Sequence, residues 1–276
     1  MKRLPLAVLA TGVCALIVQN AGATLLFSDG FNYTVGDDLG AGTTTPTWTA
    51  TATATSYMSI GNANLTYSPL TDLGGSSLTL NSGNSAGVPA YATLSSSVTS
   101  GSLYYSFLIE CTTLPTSNSY LTGLTPSTHL GLNGSGSDAI DLYAKNSGAG
   151  WVLGERTTGV SASYESTVLS LGTTYYAVLK YTFGATTSTA QLFLSPVPGN
   201  SEPGTATVTL TGTANVADVS AVGFKAQTAT SVGNFVFDDL RVGTTWADVT
   251  PAPEPTTLAL AGMGILGLVL ARRNRR

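Results

Sequence analysis

Charged residues are scarce in this sequence, at 9% of 276 residues, whereas a typical soluble domain carries about a quarter. A helical cytosolic enzyme would be rich in Glu and Lys, so the scarcity argues against that class. It also argues against nucleic-acid binding, because a phosphate-binding surface needs clustered basic residues. The basic residues between the two ends of the chain are few and scattered: Lys145, Arg156, Lys180, Lys225 and Arg241.

Cysteine and histidine are nearly absent, with two of the former and one of the latter. Cys14 lies in the apolar N-terminal segment, and its removal would leave Cys111 without a partner for an intramolecular disulfide. One His and one Cys do not make a His-based metal site. No nucleophile elbow accompanies His129, so a Ser–His–Asp triad lacks support. We expect Cys111 to pack in the core and His129 to have no catalytic role.

Paired carboxylates are also missing from the predicted strands. A glycosidase needs two carboxylates that flank the scissile bond. Glu110 and Glu155 each stand alone in their segments, and Asp138 and Asp141 flank a Gly/Ser-rich turn. The sequence therefore predicts no catalytic residue, and we expect the protein not to be an enzyme.

Glycine and threonine are abundant, with 31 Gly, and the aromatic residues include 12 Tyr. Such a composition is typical of all-β extracellular domains. Fourteen carboxylates from Asp29 to Asp248 oppose the five basic residues of the same segment. This segment therefore carries a net charge of about −9 at neutral pH, which favours a soluble, acidic surface.

The N-terminus has the three parts of a signal peptide. A basic pair precedes an apolar run over residues 4–18, and Ala21 and Ala23 place small residues at −3 and −1 of a cleavage site. Signal peptidase would then make Thr24 the first residue of the exported protein.

The C-terminus has an apolar run that ends in basic residues. Thr256 to Ala271 form sixteen uncharged residues, which as a helix span about 24 Å, less than the roughly 30 Å hydrocarbon core. The arginines that follow would stop transfer and leave the preceding body outside the membrane. They are Arg272, Arg273, Arg275 and Arg276.

This tail resembles the PEP-CTERM sorting signal of Gram-negative bacteria. The resemblance rests on Pro253-Glu254-Pro255, the short apolar helix and the terminal arginine cluster. It implies that an exosortase cuts near Pro-Glu-Pro and transfers or releases the protein at the cell surface. The implied partners are the export machinery, signal peptidase and exosortase. A plain membrane anchor is the alternative.

The region between the two ends alternates apolar and polar residues with a period of two, separated by Gly, Ser, Asn and Pro. "SLYYSFLIECT" and "TYYAVLKYTF" are the clearest runs. One face of these runs collects the following residues: Leu103, Tyr105, Phe107, Ile109, Cys111, Tyr175, Ala177, Leu179 and Tyr181. We predict an all-β, antiparallel β-sandwich (jelly roll) over residues 24–250, after a signal peptide at 1–23 and before a sorting segment with a transmembrane helix at 251–276.

The same region resembles LamG-like, concanavalin A-like jelly-roll domains. "LLFSDGFNYTVGDDL", "TYYAVLKYTF", "AQLFLSPVPGNSEP" and "FVFDDLRVGTTWADVTP" carry the resemblance. It implies two curved sheets packed face to face, and in relatives that act on glycans the concave sheet holds the sugar.

The resemblance also implies a structural Ca²⁺ that ties the first strand to the last, held by oxygen ligands. Asp238 occupies the last-strand position, and Asp29 with the backbone of Gly30 lies in the N-terminal stretch. Alternation places Asp238 on one face with Val236, Leu240 and Val242, which we expect to point inwards. A buried carboxylate there would need a metal or hydrogen-bonding partners.

Three functions stay open at this point. The first is a non-catalytic protein of the cell surface or extracellular matrix, and the second is a lectin-like carbohydrate-binding module. The third is a divergent glycan-degrading enzyme. Trp48, Trp151 and Trp246 are candidate sugar-stacking residues, with core packing as the alternative. Extracellular polysaccharide is the expected partner of the second function. An exposed aromatic row on a sheet would favour it, and a carboxylate pair would favour the third.

Overall fold

The computed structural model describes residues 24–40, 46–50, 57–81, 88–132, 136–226 and 233–252. The predicted signal peptide, Pro253-Glu254-Pro255, the apolar tail helix and the terminal arginines lie outside these residues. The described part of the chain contains no helix with the length and apolar character needed to cross a bilayer.

The described residues form fifteen strands and one short helix. In chain order they are β1 (Leu25–Asp29), β2 (Thr49–Ala50), β3 (Met58–Gly61), β4 (Ser77–Leu80), β5 (Val88–Val98), β6 (Ser102–Thr113), β7 (Ser119–Thr125), β8 (Ile140–Ser147), β9 (Gly150–Thr157), β10 (Ser163–Tyr164), β11 (Tyr175–Thr182), β12 (Thr189–Leu194), β13 (Val208–Thr211), β14 (Val219–Ala226), β15 (Asn234–Gly243) and α1 (Trp246–Val249).

The strands build two antiparallel sheets. Sheet A has the order β13-β12-β11-β6-β15-β4-β3, and β1 also pairs with β15. Sheet B has the order β10-β9-β8-β7-β14-β5-β2. The predicted all-β jelly-roll sandwich is therefore confirmed.

An inner apolar layer fills the space between the sheets. The predicted inward face of β6, from Leu103 to Cys111, lies in this layer, as do Ala177, Leu179 and Tyr181 of β11. Tyr175 packs partly buried against it. The period-two alternation identified these faces because successive side chains of a strand point to opposite sides.

A second apolar layer, which we call the outer layer, covers sheet A on the side away from sheet B. Sheet A contributes the side chains between the inward ones, such as Leu108, Val178 and Val236. The segment between β3 and β4 supplies Leu65 and Leu70, and α1 supplies its own apolar residues. Sheet A is therefore buried on both faces.

Helix α1 anchors the end of the described chain to this outer layer. Thr245 caps the helix reciprocally with Asp248. The carbonyl of Val249 accepts hydrogen bonds from the Ser106 hydroxyl (2.7 Å) and the Tyr176 hydroxyl (2.6 Å). The Thr71 amide then donates to the carbonyl of Pro251. The chain therefore leaves the sandwich on the sheet A side.

A bulge in β15 changes which residues face inwards. Asp239 has a φ of 53°, and the register against β6 shifts between Asp238 and Arg241. One extra residue at a bulge reverses the alternation beyond it. Phe237 and Leu240 consequently both lie in the inner layer. The prediction that Asp238 shares an inward face with Val236, Leu240 and Val242 is wrong.

Candidate functional site

Asp29 lies at the end of β1, with its carboxylate among inner-layer aromatic residues. One oxygen accepts the Phe31 amide at 2.7 Å. The other accepts the Tyr33 hydroxyl and the Trp48 indole N–H, each at 2.6 Å. Burial raises the pKa of Asp29 despite these three donors. The side chain satisfies neighbouring donors and fixes the start of the domain.

Asp238 and Asp239 hold the segment that covers sheet A. Asp238 accepts the Leu65 amide at 2.9 Å and the Asp239 amide at 2.8 Å. Asp239 accepts the Leu73 amide at 2.7 Å, and Arg241 donates to the carbonyl of Thr71. Burial raises the pKa of Asp238 to about 8. These groups therefore fasten the β3–β4 segment over the bulge.

The residues named for calcium do not fit a shared site. Asp29 points to the inner layer, whereas Asp238 points to the outer layer beside Leu65, so sheet A separates the two carboxyl groups. The backbone of Gly30 packs against the carbonyl of Gly74 so closely that no Cβ fits there. Among the described residues, no group of three or more His, Cys, Asp or Glu side chains forms a metal-binding cluster.

The three tryptophans lie inside the molecule. Trp48 and Trp151 belong to the inner layer and Trp246 to the outer layer. Trp151 is 0% exposed and donates its indole N–H to the carbonyl of Ser170 at 3.2 Å. Cys111 is buried as well, and burial raises the pKa of its thiol to about 12. Packing, rather than sugar stacking or nucleophilic chemistry, explains these side chains.

Sheet B differs from sheet A on its outer side, where polar aromatic residues stand in a row. Ile140, Leu142 and Ala144 of β8 face the inner layer, so Tyr143 faces outwards. Register places Tyr120 of β7 beside Tyr143, with ring centroids 5.7 Å apart. On the other side, Gly154 of β9 separates Tyr143 from Tyr164 of β10. We call Tyr120, Tyr143 and Tyr164 the tyrosine row.

Gly154 sets the position of the last ring in the row. A Cβ at this position would lie 2.5 Å from the carbonyl oxygen of Ser163 and 2.6 Å from Cδ1 of Tyr164. Real Cβ atoms do not approach other atoms so closely, so only glycine allows the Tyr164 ring to pack this closely against the backbone of β9.

A cleft of about 520 Å³ opens beside this row. Arg156 of β9 lies in its wall and donates to the Tyr143 hydroxyl at 3.1 Å and to the carbonyl of Val160 at 3.2 Å. Among the described residues, those that line the cleft include no carboxylate. They are Asn118, Tyr143, Arg156, Gly159, Val160, Ser161, Ala162 and Tyr164.

Lysines flank the row at both ends. The Lys145 ammonium lies 4.1 Å from the centroid of Tyr164, and the Lys225 ammonium lies 5.0 Å from that of Tyr120. Both distances allow cation–π attraction. With Arg156 on Tyr143, each ring of the tyrosine row is in contact with one basic side chain.

Three titratable side chains, His129, Asp138 and Asp141, form a network behind this face. His129 Nε2 is 2.8 Å from Asp138 Oδ1, and Asp138 also interacts with Asp141, the β8 residue that pairs with Arg156. Burial, followed by the charge and hydrogen bond of Asp138, raises the pKa of Asp141 well above its ordinary value. Asp138 and Asp141 are each 1% exposed, so neither offers an oxygen to a ligand at the surface.

The sequence did not identify the tyrosine row or its basic neighbours. The three rings come from β7, β8 and β10, and long-range pairing brings them together. The alternation in "IDLYAKNS" was a usable signal, because it sets Asp141, Tyr143 and Lys145 opposite the apolar residues. His129 and Asp138 had no comparable signal, since a loop brings them together.

Comparisons with known proteins support the two parts of the chain separately. Residues 251–276 match the PEP-CTERM protein-sorting motif. This confirms the sorting signal and marks an exported protein with a C-terminal membrane anchor. No curated protein matches the chain.

Several solved structures resemble the sandwich. The catalytic domain of a glycoside hydrolase family 131 protein from Coprinopsis cinerea has a TM-score of 0.50 and 12% identity, over 83% of this chain and 98% of that one. An endo-β-1,4-glucuronan lyase from Trichoderma reesei has a TM-score of 0.47 and 13% identity, over 83% and 99%. An endo-1,3-β-glucanase from Streptomyces sioyaensis has a TM-score of 0.46 and 8% identity, over 82% and 97%. At such identities the likeness concerns the fold alone.

Proposed function

We propose that this protein is an exported, non-catalytic glycan-binding protein of the cell surface or extracellular matrix, with the cleft on sheet B as its binding site. The observation that carries the proposal is the Tyr164 ring, which is partly exposed in the wall of a cleft beside Tyr143, itself 7% exposed. Sugar rings stack their C–H faces on aromatic side chains, and their hydroxyls need nearby polar partners. Asn118, Ser161 and Arg156 supply such partners.

The carboxyl groups favour binding over hydrolysis. A hydrolase needs two carboxylates at the scissile bond, whereas the described lining of the cleft has none. The adjacent pair, Asp138 and Asp141, is buried. Glu155 of β9 is 0% exposed and pairs with Leu142, whose side chain faces the inner layer.

The path of the chain suits display of this site. The described chain ends at Pro251 and Ala252, which lie on the sheet A side. The cleft lies on the opposite outer face of the sandwich. A protein tethered through its sorting segment would therefore direct the cleft away from the attachment point.

The first described residue also suits export with cleavage before Thr24. The backbone nitrogen of Thr24 lies 3.2 Å from Asp248 Oδ2, and its carbonyl accepts the Thr244 amide at 3.1 Å. Cleavage would convert this nitrogen to an ammonium beside a carboxylate, which is a favourable pairing. N-terminal sequencing of the exported protein should therefore begin at Thr24.

Affinity electrophoresis of the full chain in mild detergent tests the proposal. Gels that contain soluble extracellular polysaccharides should retard the protein. Tyr164→Ala should lose most of the retardation, because the ring faces the cleft and its removal leaves the sandwich intact. Tyr67→Ala is the matched control, since Tyr67 is a half-buried tyrosine that packs against the outer layer.

The same incubations should release no new reducing ends. Retardation without cleavage supports a binding protein, and cleavage that Tyr164→Ala abolishes would replace it with an enzyme. Equal retardation of wild type and Tyr164→Ala would move the site elsewhere. A protein that no polysaccharide retards would end the proposal.

A further inference from the structure

We infer that the cleft selects acidic polysaccharides, with Arg156 as the group that binds a sugar carboxylate. The inference rests on the proposed function and adds the chemical class of the ligand. Its basis is the distribution of charged side chains in the folded protein, where basic residues that are far apart in the sequence lie on one face.

Three of the five basic residues of an acidic body meet on one face. Lys145, Arg156 and Lys225 all face outwards from sheet B, because their neighbours in β8, β9 and β14 belong to the inner layer. The other two lie on the sheet A side. Lys180 forms an ion pair of 2.7 Å with Glu202, and Arg241 is 2% exposed and donates to the carbonyl of Thr71.

The acidic side chains of the strands of sheet B are buried. The seven strands of sheet B carry two acidic residues, Asp141 and Glu155. Glu155 faces the inner layer, and its pKa is raised well above the ordinary value by burial. Asp141 is buried beneath the face, where burial and Asp138 raise its pKa and the charges of Arg156 and Lys225 oppose that rise. Lys145, Arg156 and Lys225 therefore lie on the solvent side of these carboxyl groups, on a protein whose body carries about −9.

The three basic groups follow the tyrosine row ring by ring. Lys225 lies over Tyr120, Arg156 bonds to Tyr143, and Lys145 lies over Tyr164. The row crosses three strand spacings of about 4.8 Å each, so it extends roughly 14 Å. A ligand that uses all of it is a polymer with stacking sugar rings and repeated negative charge.

Arg156 gives the site a preference for carboxylates over other anions. A guanidinium group presents parallel N–H donors that match the two oxygens of a carboxylate. The Arg156 side chain is held in position by Val160 and Tyr143 and lies so close to Gly136 that a Cβ there would collide with Nη2. A pre-positioned donor group loses little entropy when it binds.

Binding of the full chain in mild detergent to polygalacturonate, to its methyl-esterified form and to a neutral β-glucan tests the inference. Esterification removes the charge and keeps the sugar backbone. Polygalacturonate should bind at least about tenfold more tightly than its ester, since a hydrogen-bonded charge pair is lost.

Arg156→Gln should reduce this preference to about twofold, with a larger loss of affinity for polygalacturonate than for the neutral polymer. Lys145→Gln, which disturbs no hydrogen bond of the described structure, should reduce it by roughly threefold. Lys180→Gln is the control on the opposite face and should have no effect. Thermal melting of each variant confirms that it folds.

Three other results would contradict either this inference or the proposed function. Equal affinity for polygalacturonate and its ester would overturn the acidic preference and leave glycan binding in place. A second result would be that dextran sulfate binds as tightly as polygalacturonate, with all binding lost at high salt. That result would show only a general attraction between charges and would overturn the role of Arg156. Absence of binding to every polymer would overturn the proposed function itself.

Discussion

The two outer faces of the sandwich are both built from alternating strands, yet one is covered by apolar segments of the chain and the other has a cleft between polar side chains. The outer face of sheet A presents Leu108, Tyr176 and Val178, and the chain covers them with the β3–β4 segment and α1. The outer face of sheet B presents the tyrosine row and three basic residues. Apolar side chains between the inward ones need a cover because their exposure to water is unfavourable. Amphipathic tyrosines tolerate water, so the rings of sheet B need no apolar cover of this kind.

Removal of the cover on sheet A should have the largest effect. Trp246 contacts the rings of Phe193 and Tyr104 with centroids 5.1 and 6.0 Å away, and it is 7% exposed. Trp246→Ala should lower the free energy of unfolding by about 3–5 kcal/mol, because it leaves a cavity in the outer layer. Urea denaturation measures the change. Glycan affinity of the folded fraction should stay as in the wild type, and a parallel loss of affinity would show that the two faces are coupled.

A methyl group under the tyrosine row should affect function more than stability. Gly154→Ala would push the Tyr164 ring off β9, with a loss of about tenfold in polysaccharide affinity and a destabilisation of about 1–3 kcal/mol from overpacking. Affinity electrophoresis and urea denaturation measure the two changes. Gly204→Ala is the matched control, since a Cβ at Gly204 meets no atom within 4 Å. An unchanged affinity for Gly154→Ala would mean that the position of Tyr164 does not matter.

The pH dependence of stability should report a buried acid at the edge of sheet B. Burial raises the pKa of Glu165 from its ordinary value of 4.5 to about 7. The folded protein therefore keeps a proton that the unfolded chain releases, so the free energy of unfolding falls as pH rises from about 4.5 to 7. Glu165→Gln should make this decline less steep, since Asp238 with its raised pKa still contributes to it, and should stabilise the protein at pH 8 by on the order of 1–3 kcal/mol. Melting curves at pH 5 and pH 8 measure it, and an equal decline in both proteins would assign the effect to other groups.

Chelation should have the smallest effect. Asp29 and Asp238 lie on opposite sides of sheet A and already accept protein donors, so we expect the melting temperature to be the same with and without EDTA. Differential scanning calorimetry provides the measurement. A lower melting temperature in EDTA, restored by added Ca²⁺, would show a metal-dependent fold and revive the calcium hypothesis.

The sequence predicted the sheets better than it predicted the site. The faces of β6 and β11 were assigned correctly, because their alternation is uninterrupted from Leu103 to Cys111 and from Tyr175 to Tyr181. In β15 the same rule failed at Asp239, where a bulge with positive φ adds one residue. Nothing in "FVFDDLRV" distinguishes that bulge from a regular strand. Among the tryptophan candidates, Trp151 is nearest in sequence to the residues of the cleft, but its side chain points inwards. Tyr143 and Tyr164 form the wall of the cleft.

Sequence alone determined the export of this protein and its fold class, because a sorting signal and a period-two pattern are local properties of the chain. The tertiary structure decided which face carries a cleft and which charges meet there. Lys145, Arg156 and Lys225 are separated by as many as 80 positions in the chain, and they come together through the pairing of β7 with β8 and β14. Strand register is a property of distant contacts, so the electrostatic character of the cleft exists only once the sheet has formed.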